Sequence, residues 1–164
     1  MYRSVRHIDI IIARSFLELV IYFFTFVLLL LGLMFFGIGF DMANLHIVLV
    51  GWLGMFLFSL GLALILMIVG YYGGEIRKII SILFTILYFT SGVIYSVHIV
   101  PEPYLSYLMY NPFIHNLEMM RHALSPTYPI YHVSWAYFWG WVACVMFLGL
   151  ALYKVCERDL IRSK

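Results

Sequence analysis

HIVPEPYLSYLMYNPFIHNLEMMRHALSPTYPIYHVS, residues His98 to Ser134, holds all five prolines of a 164-residue chain and lies between long apolar runs. Pro101 and Pro103 suit a helix start, because proline's missing N–H costs nothing in a first turn; a short helix is expected from Pro103 to about Tyr110. Asn111-Pro112 reads as an N-cap followed by a first-turn proline. The next helix carries Phe113, Leu117, Met120 and Leu124 on an apolar face at helical spacing, with His115, Glu118, Arg121 and His122 on the remainder. Ser125-Pro126 ends it, since a residue before proline is pushed out of the helical region. Neither helix is long enough to cross a bilayer. The segment 98–134 therefore reads as a hairpin of two short amphipathic helices at a membrane surface.

On both sides of the hairpin the chain is apolar. Four segments qualify as spans: roughly Phe16–Phe36, Ile47–Val69, Ile79–Val97 and Trp135–Tyr153. Each has the ~20 residues that a helix needs to cross about 30 Å of hydrocarbon. The composition agrees, at 65% hydrophobic and 11% charged with a mean hydropathy of +1.00, where soluble domains carry about 25% charged residues. The expected fold class is an all-α integral membrane protein with about four transmembrane helices and two short external interfacial ones. After Arg14 the apolar run is too long for the core of a secretory signal peptide.

Lysine and arginine set the orientation. Arg3, Arg6 and Arg14 precede the first span, Arg77 and Lys78 follow the second, and Lys154, Arg158, Arg162 and Lys164 follow the fourth. Only Arg121 lies on the other side. The positive-inside rule then makes both termini cytoplasmic and the hairpin external. A net charge of +2 is too small to imply a nucleic-acid partner. On one helix Cys144 and Cys156 would stand ~18 Å apart at 1.5 Å per residue, so no disulfide framework exists.

Chemistry-bearing residues are few. His115, Glu118 and His122 share a helix at i, i+3, i+7, a spacing that metal ligands can use. Glu118 and His122 at i, i+4 equally make a solvated polar pair, and Arg121 beside them opposes a cation. Five of the six histidines are external, where interfacial placement accounts for them as readily as pH sensing. Glu18 lies four residues after Arg14, which explains it as an intrahelical pair. The spans thus carry almost no charge, which argues against a proton-coupled pump. Ala136, Gly140 and Cys144 in the fourth span, and Ser59, Ala63 and Gly70 in the second, read as helix-packing residues. Tyr104, Tyr107, Tyr110, Tyr131 and Trp135 belong to an aromatic cluster that fits an interfacial belt or a platform for stacked sugar rings. Composition does not separate the two. No nucleophile–base pair, nucleotide loop or cofactor motif is present in the sequence, and Gly70–Glu75 lacks the Gly-Lys-Ser/Thr of a phosphate loop.

Two blocks carry a family resemblance. Ser4-Val5-Arg6-His7-Ile8-Asp9-Ile10-Ile11-Ile12-Ala13-Arg14 resembles the cytoplasmic segment before the third membrane helix of ABC-2 type permeases, especially the capsule polysaccharide exporters (KpsM-like). Phe89-Thr90-Ser91-Gly92-Val93-Ile94-Tyr95, then Pro101, then Tyr110-Asn111-Pro112-Phe113 through Glu118 and Arg121, is similar to a signature of the same family. Such permeases have six spans after an interfacial helix, so residues 1–164 look like the last four spans of one transmembrane domain.

The resemblance implies an export permease of the bacterial inner membrane, not itself an enzyme, working as a homodimer with separate ABC ATPase subunits. Its substrate would be a lipid-linked polysaccharide. Residues 1–15 would be the coupling segment, with Arg3, Arg6, Asp9 and Arg14 at the ATPase. The hairpin would supply gate helices, with Pro103, Tyr107, Asn111, Pro112, Glu118 and Arg121 shaping them. Possible sugar contacts are Tyr104, Tyr110, Tyr131 and Trp135. A rival expectation is a non-transporting four-span scaffold or assembly subunit, which the same packing residues and charge-poor spans would suit.

Overall fold

The computed structural model describes residues 7–39, 42–72, 76–130 and 132–162. They form α1 (His7–Phe35), α2 (Leu45–Tyr72), α3 (Ile76–Thr90), a 3-10 turn (Val97–Ile99), α4 (Tyr104–Leu108), α5 (Pro112–Leu124) and α6 (Trp135–Arg162). The described residues contain no strand. The expected all-α membrane class holds.

Among the described residues three helices are long and apolar enough to cross a membrane: Ile8–Phe35, Leu45–Gly70 and Trp135–Cys156. They occupy the first, second and fourth expected spans. The third differs. Its helix stops at Thr90 after 15 residues, which is ~22 Å of rise, where Ile79–Val97 was expected. The physical cause is local. The Ser91 N–H bonds back only three residues, to Tyr88 O at 3.2 Å, and its hydroxyl donates to the same carbonyl at 2.6 Å. Gly92 then adopts φ +74, a left-handed conformation that glycine enters without a Cβ clash. Hydropathy continues through Val93-Ile94-Tyr95, so it records apolar depth and not the turn.

α2 packs chiefly on α6, then on α5. Its buried positions are Val48, Gly51, Gly54, Phe58, Gly61, Leu64 and Ile68, a stripe at spacings of three and four that defines one helical face. Phe58 joins Phe138, Val142 and Val145 of α6 in the main core. Glycine sets the distance between the two helices. A Cβ on Gly149 would lie 2.7 Å from Gly61 O, and one on Gly61 would lie 2.9 Å from Met146 N, so backbone meets backbone.

That close approach turns α6 away from the packing face read from the sequence. Ala136, Gly140 and Cys144 lie on the exposed side, and Gly140 has nothing within 4 Å of a would-be Cβ. Ser59 is likewise exposed and Gly70 open. Small residues do bring these helices together, but they are Gly61 and Gly149. α1 leans on α2, with Phe23 and Trp52 rings 5.8 Å apart. Arg14 Nε donates to Glu18 at 3.2 Å, the expected intrahelical pair.

Candidate functional site

α5 is the centre of the hairpin, and its first turn is built as the sequence indicates. Asn111 Oδ1 accepts from the Phe113 N–H at 3.0 Å, with Pro112 following as the first helical residue. The same side chain reaches back: its Nδ2 donates to Thr90 Oγ1 at 3.3 Å. One residue therefore caps α5 and holds the end of α3. Ser125 closes the helix, as expected.

The polar face of α5 was expected in solvent, with Glu118 and His122 as a solvated pair. It is buried instead. His115, Asn116 and Glu118 are 5%, 0% and 2% exposed. Asn116 and Met120 both flank Gly51 of α2, so α5 crosses α2 six residues, or ~9 Å, along from the helix's first residue, Leu45. There both faces of α5 are covered. Phe113 meets Phe58 edge-on at 4.8 Å, while Ile114 packs with Val97 and Leu105.

Buried polar atoms must find partners, and Asn116 and His115 find theirs on other elements. Asn116 Nδ2 donates to Gly51 O at 3.0 Å, and its Oδ1 accepts from Trp135 Nε1 at 3.1 Å. α2, α5 and α6 thereby meet at one amide. Its orientation is fixed, because an indole N–H can only donate and a carbonyl can only accept. His115 is fixed by the same logic. Its Nδ1 accepts from the Ser134 N–H at 3.0 Å, so Nε2 must carry the proton it gives to Met109 O at 2.8 Å. This neutral imidazole pins the end of α4 to the start of α6.

The second cluster centres on Arg121. Its guanidinium donates to Glu118 Oε1 at 2.6 Å, Gly92 O at 2.5 Å, Val93 O at 3.1 Å and Tyr95 O at 3.1 Å. Those three carbonyls lie in the non-helical stretch after α3. Backbone carbonyls outside a helix need partners when they are taken from water, and Arg121 supplies them with its planar fork of donors. Glu118 Oε2 accepts from the Tyr128 hydroxyl at 2.7 Å. Ser96 and Tyr128 share a short hydroxyl contact, and His122 Nδ1 donates to Tyr128 O at 2.6 Å. Burial pushes the Tyr128 phenol above its ordinary value; the Ser96 hydrogen bond opposes this, and Glu118 adds to it by hydrogen bond and charge.

His115 is bonded to Met109 and Ser134, whereas Glu118 and His122 meet at opposite ends of Tyr128, its hydroxyl and its carbonyl. Among the described residues no group of three or more His, Cys, Asp or Glu is placed to hold a metal ion. Tyr104 and Tyr107 of α4, and Tyr110 just beyond its end, are 65%, 72% and 73% exposed, with Pro103 at the helix's start. Trp135 spends its N–H on Asn116. Asp9 lies in the first turn of α1, and Arg14 is one turn further on. Arg3, Arg6 and Tyr131 lie outside the described residues. Gly51 and Ser96 carry no signal in the sequence, Tyr128 stands there only as one of the outer aromatics, and Asn116 only within the family signature.

The arrangement defines a polytopic α-helical membrane protein whose proline-rich hairpin is tied into the bundle by buried polar contacts. No family model matches the chain. It is 37% identical over 162 residues to the polysialic acid transport protein KpsM of Escherichia coli, covering 99% of this chain and 63% of that protein. It is also 30% identical over 120 residues to the capsule polysaccharide export inner-membrane protein CtrC of Neisseria meningitidis, covering 73% of this chain and 45% of that protein. The chain is thus KpsM-like along essentially its whole length, and it spans a little under two thirds of the KpsM relative.

Proposed function

We propose that this chain is the transmembrane permease part of an ABC exporter that moves a lipid-linked capsular polysaccharide across the bacterial inner membrane. The observation that carries the reading is the similarity, over 99% of the chain, to a polysialic acid transport protein. The chain does not hydrolyse ATP in this reading; a separate ATPase subunit supplies the energy and rests on residues 1–15 around Arg3, Arg6, Asp9 and Arg14. The permease works as a homodimer with both termini cytoplasmic and the hairpin outside.

In this reading α4 and α5 are gate helices, and Arg121 and Glu118 hold them. Their contacts join α5 to the break after α3, so a movement of α3 would carry the hairpin with it. In the same reading Tyr104, Tyr110, Tyr131 and Trp135 supply aromatic faces for sugar rings. Asn111 transmits the same coupling at the other end of α5 through Thr90.

The test is complementation of a capsule-negative strain that lacks its permease and keeps its ATPase. This chain would be expressed together with the portion of the E. coli relative that it does not match. Capsule at the cell surface is the expected result. Polymer retained in the cytoplasm, with both pieces inserted and abundant, would contradict the reading.

A further inference from the structure

His115 has no part in the Arg121 cluster, yet its ring is buried and held from two sides. The Nε2–H goes to Met109 O at 2.8 Å, at the end of α4, and Nδ1 accepts from the Ser134 N–H at 3.0 Å, at the start of α6. The ring also meets Tyr137 of α6 edge-on, with centroids 4.9 Å apart. Tyr137 in turn donates its hydroxyl to Tyr110 O at 2.9 Å. Directly and through this neighbour, one imidazole secures the Met109 and Tyr110 carbonyls, the corner between α4 and α5, to the start of α6.

We infer that His115 is a pH-sensitive latch: acid on the hairpin's side of the membrane releases the α4–α5 corner from α6. The reason is the direction of one hydrogen bond. A neutral imidazole has one donor and one acceptor, and here both are used. A second proton can go only to Nδ1, where the Ser134 N–H already points. Two donors then face each other and the contact breaks. Ser134 is exposed, so water takes up the freed N–H. The packed elements bring no counter-charge to the ring. Tyr137 is the titratable side chain that faces it from α6, and α4 offers the Met109 carbonyl and tyrosines. α2 holds no acid, lysine or arginine, and its His46 bonds to Ala43 O. On α5 itself, Glu118 spends its two oxygens on Arg121 and Tyr128. His132, two residues before Ser134, is exposed. His98 and His122 donate to the carbonyls of Pro129 and Tyr128, contacts that an imidazolium makes as well as a neutral ring. Acid leaves those in place and acts at His115, the way histidine serves as a switch elsewhere.

The experiment reads a distance, not export, and so stands or falls separately from the exporter reading. The full chain in lipid nanodiscs would carry Cys156→Ala and Ser106→Cys, with nitroxide labels at the new cysteine in α4 and at Cys144 in α6, both exposed positions. Pulsed electron resonance gives the separation of the labels from about pH 8 down to about pH 5, the interval in which histidine is the side chain that changes charge. A longer, broader separation should gain population reversibly as pH falls, the ratio to the short one changing by up to about tenfold per pH unit, as one proton dictates. His115→Gln keeps a donor and an acceptor and does not titrate, so it should hold the short separation throughout. His46→Gln, His98→Gln, His122→Gln and His132→Gln should respond like the unaltered chain. Ring nitrogen resonances of isotope-labelled histidine in the unaltered chain give a second readout: His115 Nδ1 should gain its proton over the same pH interval as the distance changes. A separation that ignores pH would overturn the inference. So would a full response in His115→Gln, loss of the response in any of the other four variants, or a distance change at a pH where His115 Nδ1 does not titrate.

Discussion

Asn116 of α5 donates to the backbone carbonyl of Gly51 at 3.0 Å, and that contact exists only because Gly51 has no side chain. A Cβ there would lie 2.9 Å from Asn116 Oδ1, which Trp135 already holds. The missing side chain and the buried amide are two halves of one junction.

A glycine series follows from the geometry. Gly51→Ala should destabilise the bundle, because an overpacking cost of about 1–3 kcal/mol exceeds the ~1 kcal/mol that alanine gains over glycine in a helix. Gly61→Ala should be worse, since its Cβ would meet the backbone of Met146 at 2.9 Å and backbone cannot rotate aside. Gly140→Ala and Gly70→Ala meet nothing within 4 Å and should be neutral or stabilising. Thermal unfolding in a fixed detergent ranks the four; a destabilised Gly140→Ala beside an unaffected Gly61→Ala would contradict the packing described.

Tyr128 gives the hairpin an alkaline limit. Its phenol is held above the ordinary value of 10.0, first by burial. The folded state thus keeps the proton more tightly than the unfolded one. The associated stabilisation is complete below pH 10 and is lost as pH rises through the raised value. Protease resistance of the hairpin in detergent should fall above about pH 10, the phenol's unperturbed range. Tyr128→Phe should flatten that dependence at some cost at neutral pH, because Glu118 loses a donor. A profile identical in both proteins would remove Tyr128 from the account.

Asn111→Ala should weaken the start of α5 by about 1 kcal/mol, the usual loss for an N-cap, and release Thr90 from its contact. Asn111→Asp keeps the cap and loses the Nδ2 donor. Hydrogen exchange at Phe113 should therefore quicken in Asn111→Ala and less in Asn111→Asp. Equal protection in all three proteins would show that the cap is dispensable.

Orientation is tested by labelling. Single cysteines at Ser106, Ser125 or Ser163, in the Cys144→Ala/Cys156→Ala background, should react with an impermeant maleimide in spheroplasts at the first two positions only. Labelling at Ser163 without Ser106 would invert the assignment.

Much of this fold is legible in the sequence, because apolar runs of span length and the Asn111-Pro112 and Ser125-Pro126 boundaries are local signals. The short α3 is not, since Val93 and Ile94 are apolar whether helical or turned. Nor is the burial of Glu118. An i, i+4 acid–histidine pair looks solvated until the carbonyls of Gly92, Val93 and Tyr95 are brought beside Arg121, 26 to 29 residues away. The close glycine pair Gly61 and Gly149 was hidden for a similar reason. Each looks like any other small residue, and only the register of α2 against α6 selects them over Gly140 and Ala136.

On the proposed exporter, Arg121 and Glu118 hold the hairpin in its working position. The most direct measurement is surface capsule in the complementation strain for Arg121→Gln, Glu118→Gln and Arg121→Lys, each at matched membrane abundance. The account predicts that Arg121→Gln and Glu118→Gln insert normally and export little. Arg121→Lys should restore only part of the export, because a lysine keeps the charge for Glu118 and lacks the planar fork that reaches three carbonyls. Full export by Arg121→Gln at equal abundance would contradict it.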